Sequence, residues 1–205
     1  NNVEIPAMLK SSLTVKGDED LEHKMENVIS EQLVGEGFNE ILNNSLSRVS
    51  YYEDDKLNAY PWAKTVKVMN PLSVDLGVMR QSILFGGLES LARNINRKNS
   101  NLKFFEFGNT YCYDEASRTE EAPIKAYKQF YHLGLWVTGN HVQGSWIHED
   151  VKSSVYELKA YVLNVLRRLG LSAGEIVEDK SDNNIFAHAL VLRTRNGKTL
   201  AEYGV

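Results

Sequence analysis

Five histidines, one cysteine and a few adjacent carboxylates are the residues of this 205-residue chain with chemistry to offer. None is arranged as a nucleophile or a metal centre requires. Cys112 lies between Tyr111 and Tyr113 in a strand-like run with no histidine tied to it by pattern, so an inert thiol is expected. His141 and His148 stand seven apart around Gly144 and Trp146, followed by Glu149-Asp150; this lacks zinc-ligand spacing and reads as a polar loop. His23 on a helix face, and His132 and His188 in strand-like runs, read as structural. Gly35-Glu36-Gly37 opens like a dinucleotide-binding glycine motif, yet it follows a helix and carries Glu40 further on, so it reads as a helix stop. Asp54-Asp55 and Glu120-Glu121 fall in loops, where solvated charge is the default. Arg93, Arg97, Lys98 and Lys103 form a basic stretch at a helix end, interleaved with Asn94, Asn96, Asn99 and Asn101. Cations there favour the helix dipole; contact with a nucleic-acid phosphate is the alternative.

Composition narrows the classes. Hydrophobic residues make up 42% of the chain and charged ones 24%, a globular balance. Lys+Arg 23 against Asp+Glu 27 gives a net charge of −4, which argues against binding nucleic acid through bulk electrostatics. The longest apolar runs, Phe130–Val137 and Ile185–Leu192, are of strand length and carry a histidine each, so no membrane span is expected. One cysteine rules out an internal disulfide and suits a reducing, cytoplasmic setting. The opening Asn1-Asn2-Val3 without a leader, and an end inside the strand-like Leu200–Val205, suggest part of something longer.

The elements that must position these residues follow from periodicity and punctuation. Asn1–Gly17 reads as a lead-in. A helix from Asp18 or Asp20 to Gly35 shows Leu21, Met25, Val28, Ile29, Gln32 and Leu33 along one face, with Gly35 and Gly37 as the stop. A strand is expected from Phe38 toward Leu46, a short helix and loop over Ser47–Pro61, and a half-buried strand over Thr65–Met69. A second helix spans about Met79–Arg97, with Leu84, Leu88, Leu91 and Ile95 at helical spacing; Gly86-Gly87 inside it implies a close neighbour. Leu102–Asp114 and Gln129–Thr138 form a long antiparallel hairpin. Val151–Leu169 is a third helix, and Asn196-Gly197 joins a last hairpin through a two-residue turn. Three helices against an antiparallel sheet of about six strands is an α+β layout.

The order of these segments resembles a known family. The run Met69-Asn70-Pro71-Leu72-Ser73-Val74-Asp75-Leu76-Gly77-Val78-Met79-Arg80-Gln81-Ser82-Ile83-Leu84, then Gly87-Leu88-Glu89, leads through Arg93–Lys98 into Phe104-Phe105-Glu106-Phe107-Gly108. This is similar to the core of the beta subunit of bacterial phenylalanyl-tRNA synthetases. Tyr156-Glu157-Leu158-Lys159 resembles that family's aromatic-acid-Leu-Lys-Gly helix start, with Ala160 in place of the glycine. Ile185-Phe186-Ala187-His188-Ala189 resembles the segment before its last hairpin.

The resemblance implies a class II aminoacyl-tRNA synthetase fold, an antiparallel sheet flanked by helices, that has given up catalysis. It implies a catalytic-like core over 18–205, truncated at its C-terminal end, in a beta subunit that supports a catalytic alpha subunit in an (αβ)₂ heterotetramer acting on tRNA(Phe). Leu21–Leu46 resembles the first class II motif, a helix and strand at the subunit interface; Leu102–Thr138 resembles the second, a strand-loop-strand. In a working second motif an arginine two residues before the acid neutralises the ATP α-phosphate. Here the acid is Glu106 and that position holds Phe104, while Lys103 points to the other face of the strand. No catalytic, cofactor or metal residue is therefore expected in these residues; ATP and Mg²⁺ are expected of the whole enzyme. Candidate interface residues are Leu21, Met25, Ile29, Leu84, Leu88, Leu91 and Ile95, each with an intramolecular core as the alternative; Arg93, Arg97 and Lys98 are candidate tRNA contacts. Two other readings stay open: a ligase whose missing motifs lie past residue 205, and a stand-alone tRNA- or protein-binding module derived from the same fold.

Overall fold

A computed structural model describes residues 17–53 and 57–205. The lead-in Asn1–Lys16 and the pair Asp54-Asp55 lie outside the described residues. Helix α1 spans Asp18–Gly35 as its apolar spacing predicts. Its first turn is closed by Asp20, whose carboxylate accepts from the Gly17 N–H at 2.9 Å. It stops where Gly37 takes φ +88 and Phe38 N–H returns to the Leu33 carbonyl at 3.0 Å.

The central layer is the hairpin of β4 (Leu102–Tyr113) and β5 (Tyr127–Thr138), paired without a break from Leu102 opposite Thr138 to Tyr113 opposite Tyr127. Aromatic and β-branched residues at period two give each strand two apolar faces. One face, with Phe105, Phe107, Leu133, Leu135 and Val137, packs on Ile29 and Leu33 of α1, on Phe38, and on Tyr161 and Val165 of α3 (Val155–Arg168). The other, with Leu102, Phe104 and Trp136, packs on Ile83, Leu84 and Leu91, the last two in α2 (Leu84–Asn96). Gly86-Gly87 in α2 does have its close neighbour: a Cβ on Gly87 would stand 2.0 Å from Cε2 of Trp136.

Several expectations are corrected. The strand expected after α1 is only β1 (Asn39–Glu40), and it pairs with β4 in parallel; β2 (Leu46–Ser47) instead joins β3 (Val78–Met79). The 65–69 segment contributes a single bridge, Lys67 to Val78. Helix α2 begins five residues later than the pattern suggests, because neighbours engage the backbone ahead of it: Arg80 N–H donates to Ser45, and the Arg80 carbonyl accepts from Tyr111. Helix α3 likewise starts at Val155, because β7 (Val151–Lys152) pairs with β6 (Asn140–Val142). The final hairpin, β9 (Ala189–Thr194) and β10 (Thr199–Gly204), has a longer turn than two residues. Gly197 N–H donates to Thr194 and Gly197 takes φ +83, a turn closed by a glycine in the left-handed region. A strand absent from the sequence reading, β8 (Ile176–Lys180), pairs with β9. The described strands thus form two three-stranded sheets, β1-β4-β5 and β10-β9-β8, and two pairs, in place of one sheet of six. The α+β class stands. Among the described residues no helix is long and apolar enough to cross a membrane.

Candidate functional site

Alternation along β4 puts Leu102, Phe104, Glu106, Gly108 and Thr110 on one face. All five are buried. At the first level Phe104 stands opposite Trp136, and the two are covered by Ile83 and Leu91. At the next, Glu106 lies opposite Gly134 and has no exposed surface. A buried carboxylate must be neutralised and hydrogen-bonded to be tolerated, and Glu106 is both. Arg80 Nη1 donates to its Oε1 at 2.6 Å. Asn43 donates through its backbone N–H to the same oxygen at 3.3 Å and through Nδ2 to Oε2 at 2.7 Å. Ser90 of α2 in turn donates to Asn43 Oδ1 at 2.9 Å. The remaining level is glycine for a reason: a Cβ on Gly108 would meet Arg80 Nη2 at 2.2 Å, so the guanidinium lies over the strand where a side chain would otherwise stand. Arg80 also donates through Nε to the Asn109 carbonyl at 2.8 Å.

Phe104 is apolar core, Glu106 is engaged by an internal arginine, and α2 covers this face of the sheet. Lys103 lies on the opposite face: its Nζ donates to Tyr161 at 2.5 Å and sits 3.2 Å from Glu157, both on α3. Glu157 also pairs with His141 at 2.9 Å. Burial works to raise the Glu157 carboxyl, but the hydrogen bonds from His141, Lys103 and Tyr161 outweigh it and hold the carboxyl below the ordinary range. Among the described residues no group of three His, Cys, Asp or Glu is placed to hold a metal ion.

The residues singled out from the sequence separate into two groups. Ile29 and Leu91 lie in the chain's own core, and Leu84 packs against it. Leu21 and Met25 on α1, and Leu88 and Ile95 on α2, are exposed. Arg93, Arg97 and Lys98 are exposed too; Arg93 lines a cavity beside α2, while Lys98 sits past the helix end at φ +69. Sequence reasoning missed Arg80 and Asn43, which hold Glu106. No spacing rule links them to it, since the contacts span 26 and 63 residues. Gly108, two positions beyond Glu106 on the same strand face, was the one local hint of a close approach.

The fold is that of a tRNA synthetase core. A pyrrolysyl-tRNA synthetase from Desulfitobacterium hafniense superposes with a TM-score of 0.59 over 88% of this chain and 57% of that one, at 14% identity, a likeness of fold alone. Residues 5–198 match the family described as the phenylalanyl tRNA synthetase beta chain CLM domain. The chain belongs to that family. It is 56% identical, over its whole length, to the phenylalanine–tRNA ligase beta subunit of Bacteroides fragilis, and 45% identical to that of Porphyromonas gingivalis. It spans about a quarter of the length of these curated relatives.

Proposed function

We propose that these residues are the noncatalytic core of a phenylalanine–tRNA ligase beta subunit, which supports a catalytic alpha subunit in ATP-dependent aminoacylation of tRNA(Phe). The observation that carries this reading is the filled face of β4, with Phe104 packed in the core where the resemblance implies an arginine in a working relative, and Glu106 held by Arg80. A domain that keeps the fold and closes the nucleotide face serves by its surfaces. ATP and Mg²⁺ then belong to the partner's site, the assembly is (αβ)₂, and the setting is cytoplasmic. The exposed apolar side chains of α1, Leu21 and Met25, are the first candidates for pairing with alpha, joined by Leu88 and Ile95 on α2. Arg93, Arg97 and Lys98, exposed toward the end of α2 and just past it, are the candidates for a tRNA phosphate.

The test is adenylate formation. The natural beta polypeptide alone should neither bind ATP measurably nor form phenylalanyl-adenylate, whereas its mixture with the same organism's alpha subunit should do both. Adenylate formed by the beta polypeptide alone would overturn the reading.

A further inference from the structure

Asn196-Gly197, the one Asn-Gly pair in the chain, sits at the tip of the β9–β10 hairpin with both residues exposed. The pair sets an electrophile beside a nucleophile. The Asn196 carboxamide carbon can close a five-membered ring with the Gly197 backbone nitrogen, and glycine puts no side chain in the way. The space around Gly197 is open, since a Cβ there would meet nothing within 4 Å. The Asn196 side-chain amide has no hydrogen-bond partner among the described residues, so it is free to turn. Arg195 and Lys198 flank the pair, both exposed, and their charges favour the negative charge that builds on the attacking nitrogen and the carbonyl oxygen.

The turn itself works against that reaction. Gly197 N–H donates to the Thr194 carbonyl at 2.9 Å, Thr194 N–H to the Lys198 carbonyl at 2.9 Å, and Lys198 N–H to Thr194 Oγ1 at 3.2 Å. The nitrogen that must attack is thus held, with its proton, on another carbonyl. Below the tip the hairpin is fastened more firmly, with Leu192 and Tyr203 buried against Leu166 of α3. A tip of solvent-exposed hydrogen bonds opens far more often than the packed body it caps.

We propose that Asn196 is a site of spontaneous deamidation, gated by opening of this tip. In the open tip the Gly197 nitrogen loses its proton to solvent base and attacks Asn196 Cγ. The N–Cγ bond forms, the Cγ–Nδ2 bond breaks, and Nδ2 takes a proton from solvent and leaves as ammonia. Water then opens the cyclic imide at either carbonyl, giving aspartate or, with the backbone rerouted through Cγ, isoaspartate. Nothing is oxidised or reduced. Either product puts a carboxylate between Arg195 and Lys198, and isoaspartate adds a methylene to the backbone of the tip, which separates the partners of its hydrogen bonds.

The experiment incubates the natural beta polypeptide at mildly alkaline pH, in buffer and in urea, and maps amide-to-acid conversion by mass spectrometry. Conversion at Asn196 should outpace that at every other asparagine and rise with pH. It should run roughly tenfold or more faster in urea, where the tip is always open. Thr194→Val, which removes the hydroxyl that accepts from Lys198, should speed it several-fold in buffer with the melting temperature unmoved, and Thr194→Ser should match wild type. An unconverted Asn196 in buffer and urea alike overturns the proposal. So does conversion in urea alone, which would mean that the tip stays shut in the native protein. Equal rates in buffer and urea overturn the gate, as does a Thr194→Val chain that melts normally and converts at the wild-type rate. If Thr194→Val melts early, the comparison of buffer with urea decides alone.

Discussion

Glu106, a carboxylate with no exposed surface, depends on one guanidinium and one asparagine. Removing the guanidinium leaves a buried charge uncompensated, which costs far more than the pair contributes as a whole. Arg80→Met should therefore destabilise the domain by about 3–5 kcal/mol in urea denaturation. The double variant Arg80→Met with Glu106→Leu should be more stable than that single one; a double variant that is worse would mean the charge is not the cause. Gly87 makes a second prediction. Alanine in a helix ordinarily gains about 1 kcal/mol over glycine. At Gly87 its methyl would drive into Trp136, so Gly87→Ala should instead lose about 1–3 kcal/mol by overpacking. Gly35, where an added methyl would meet nothing within 4 Å, serves as the control in the same melting experiment. At this scale the sequence was half legible. Phe104 as an apolar neighbour of Glu106 could be read directly, but the arginine and asparagine that occupy Glu106 could not, because only the folded chain brings them to it.

Among the elements, α1 and the β4–β5 hairpin were legible because their apolar periods are long and their stops are glycines or polar turns. What was misread lay where neighbours decide the backbone. Residues 79–83 continue the helical pattern of α2, yet Arg80 among them is hydrogen-bonded to Ser45 and Tyr111. Strand β8 was missed because its Ile-Val-Glu-Asp-Lys run, mostly exposed, has no alternation to show. Helix α3 is anchored to the sheet by Glu157, which collects His141, Lys103 and Tyr161. Its carboxyl is held below the ordinary glutamate value of 4.5, so the sign follows by linkage. The unfolded chain binds the proton more readily, and the stabilisation is complete above about pH 4.5 and is lost as pH falls through the lower folded-state value. Glu157→Gln should be less stable than wild type at neutral pH, with the gap narrowing as the solution is acidified well below that value. Equal gaps at both ends in pH-dependent denaturation would show that the cluster acts through packing.

For the whole molecule, the class of fold was legible from the order of its segments, while its layering was not. Helix α3 packs on both sheets, through Tyr161 and Val165 on one side and Leu166 against Leu192 and Tyr203 on the other, so what reads as one sheet of six is two sheets joined by a helix. In that arrangement Phe104, Trp136 and α2 close one face of the central hairpin. Under the proposed function such a core acts through partners, and pairing is what most directly tests the account. Light scattering on a sizing column, with the natural beta polypeptide mixed with the same organism's alpha subunit, should give one species at the mass of two copies of each. Two separate peaks at the masses of the free subunits, with both well folded, would contradict it.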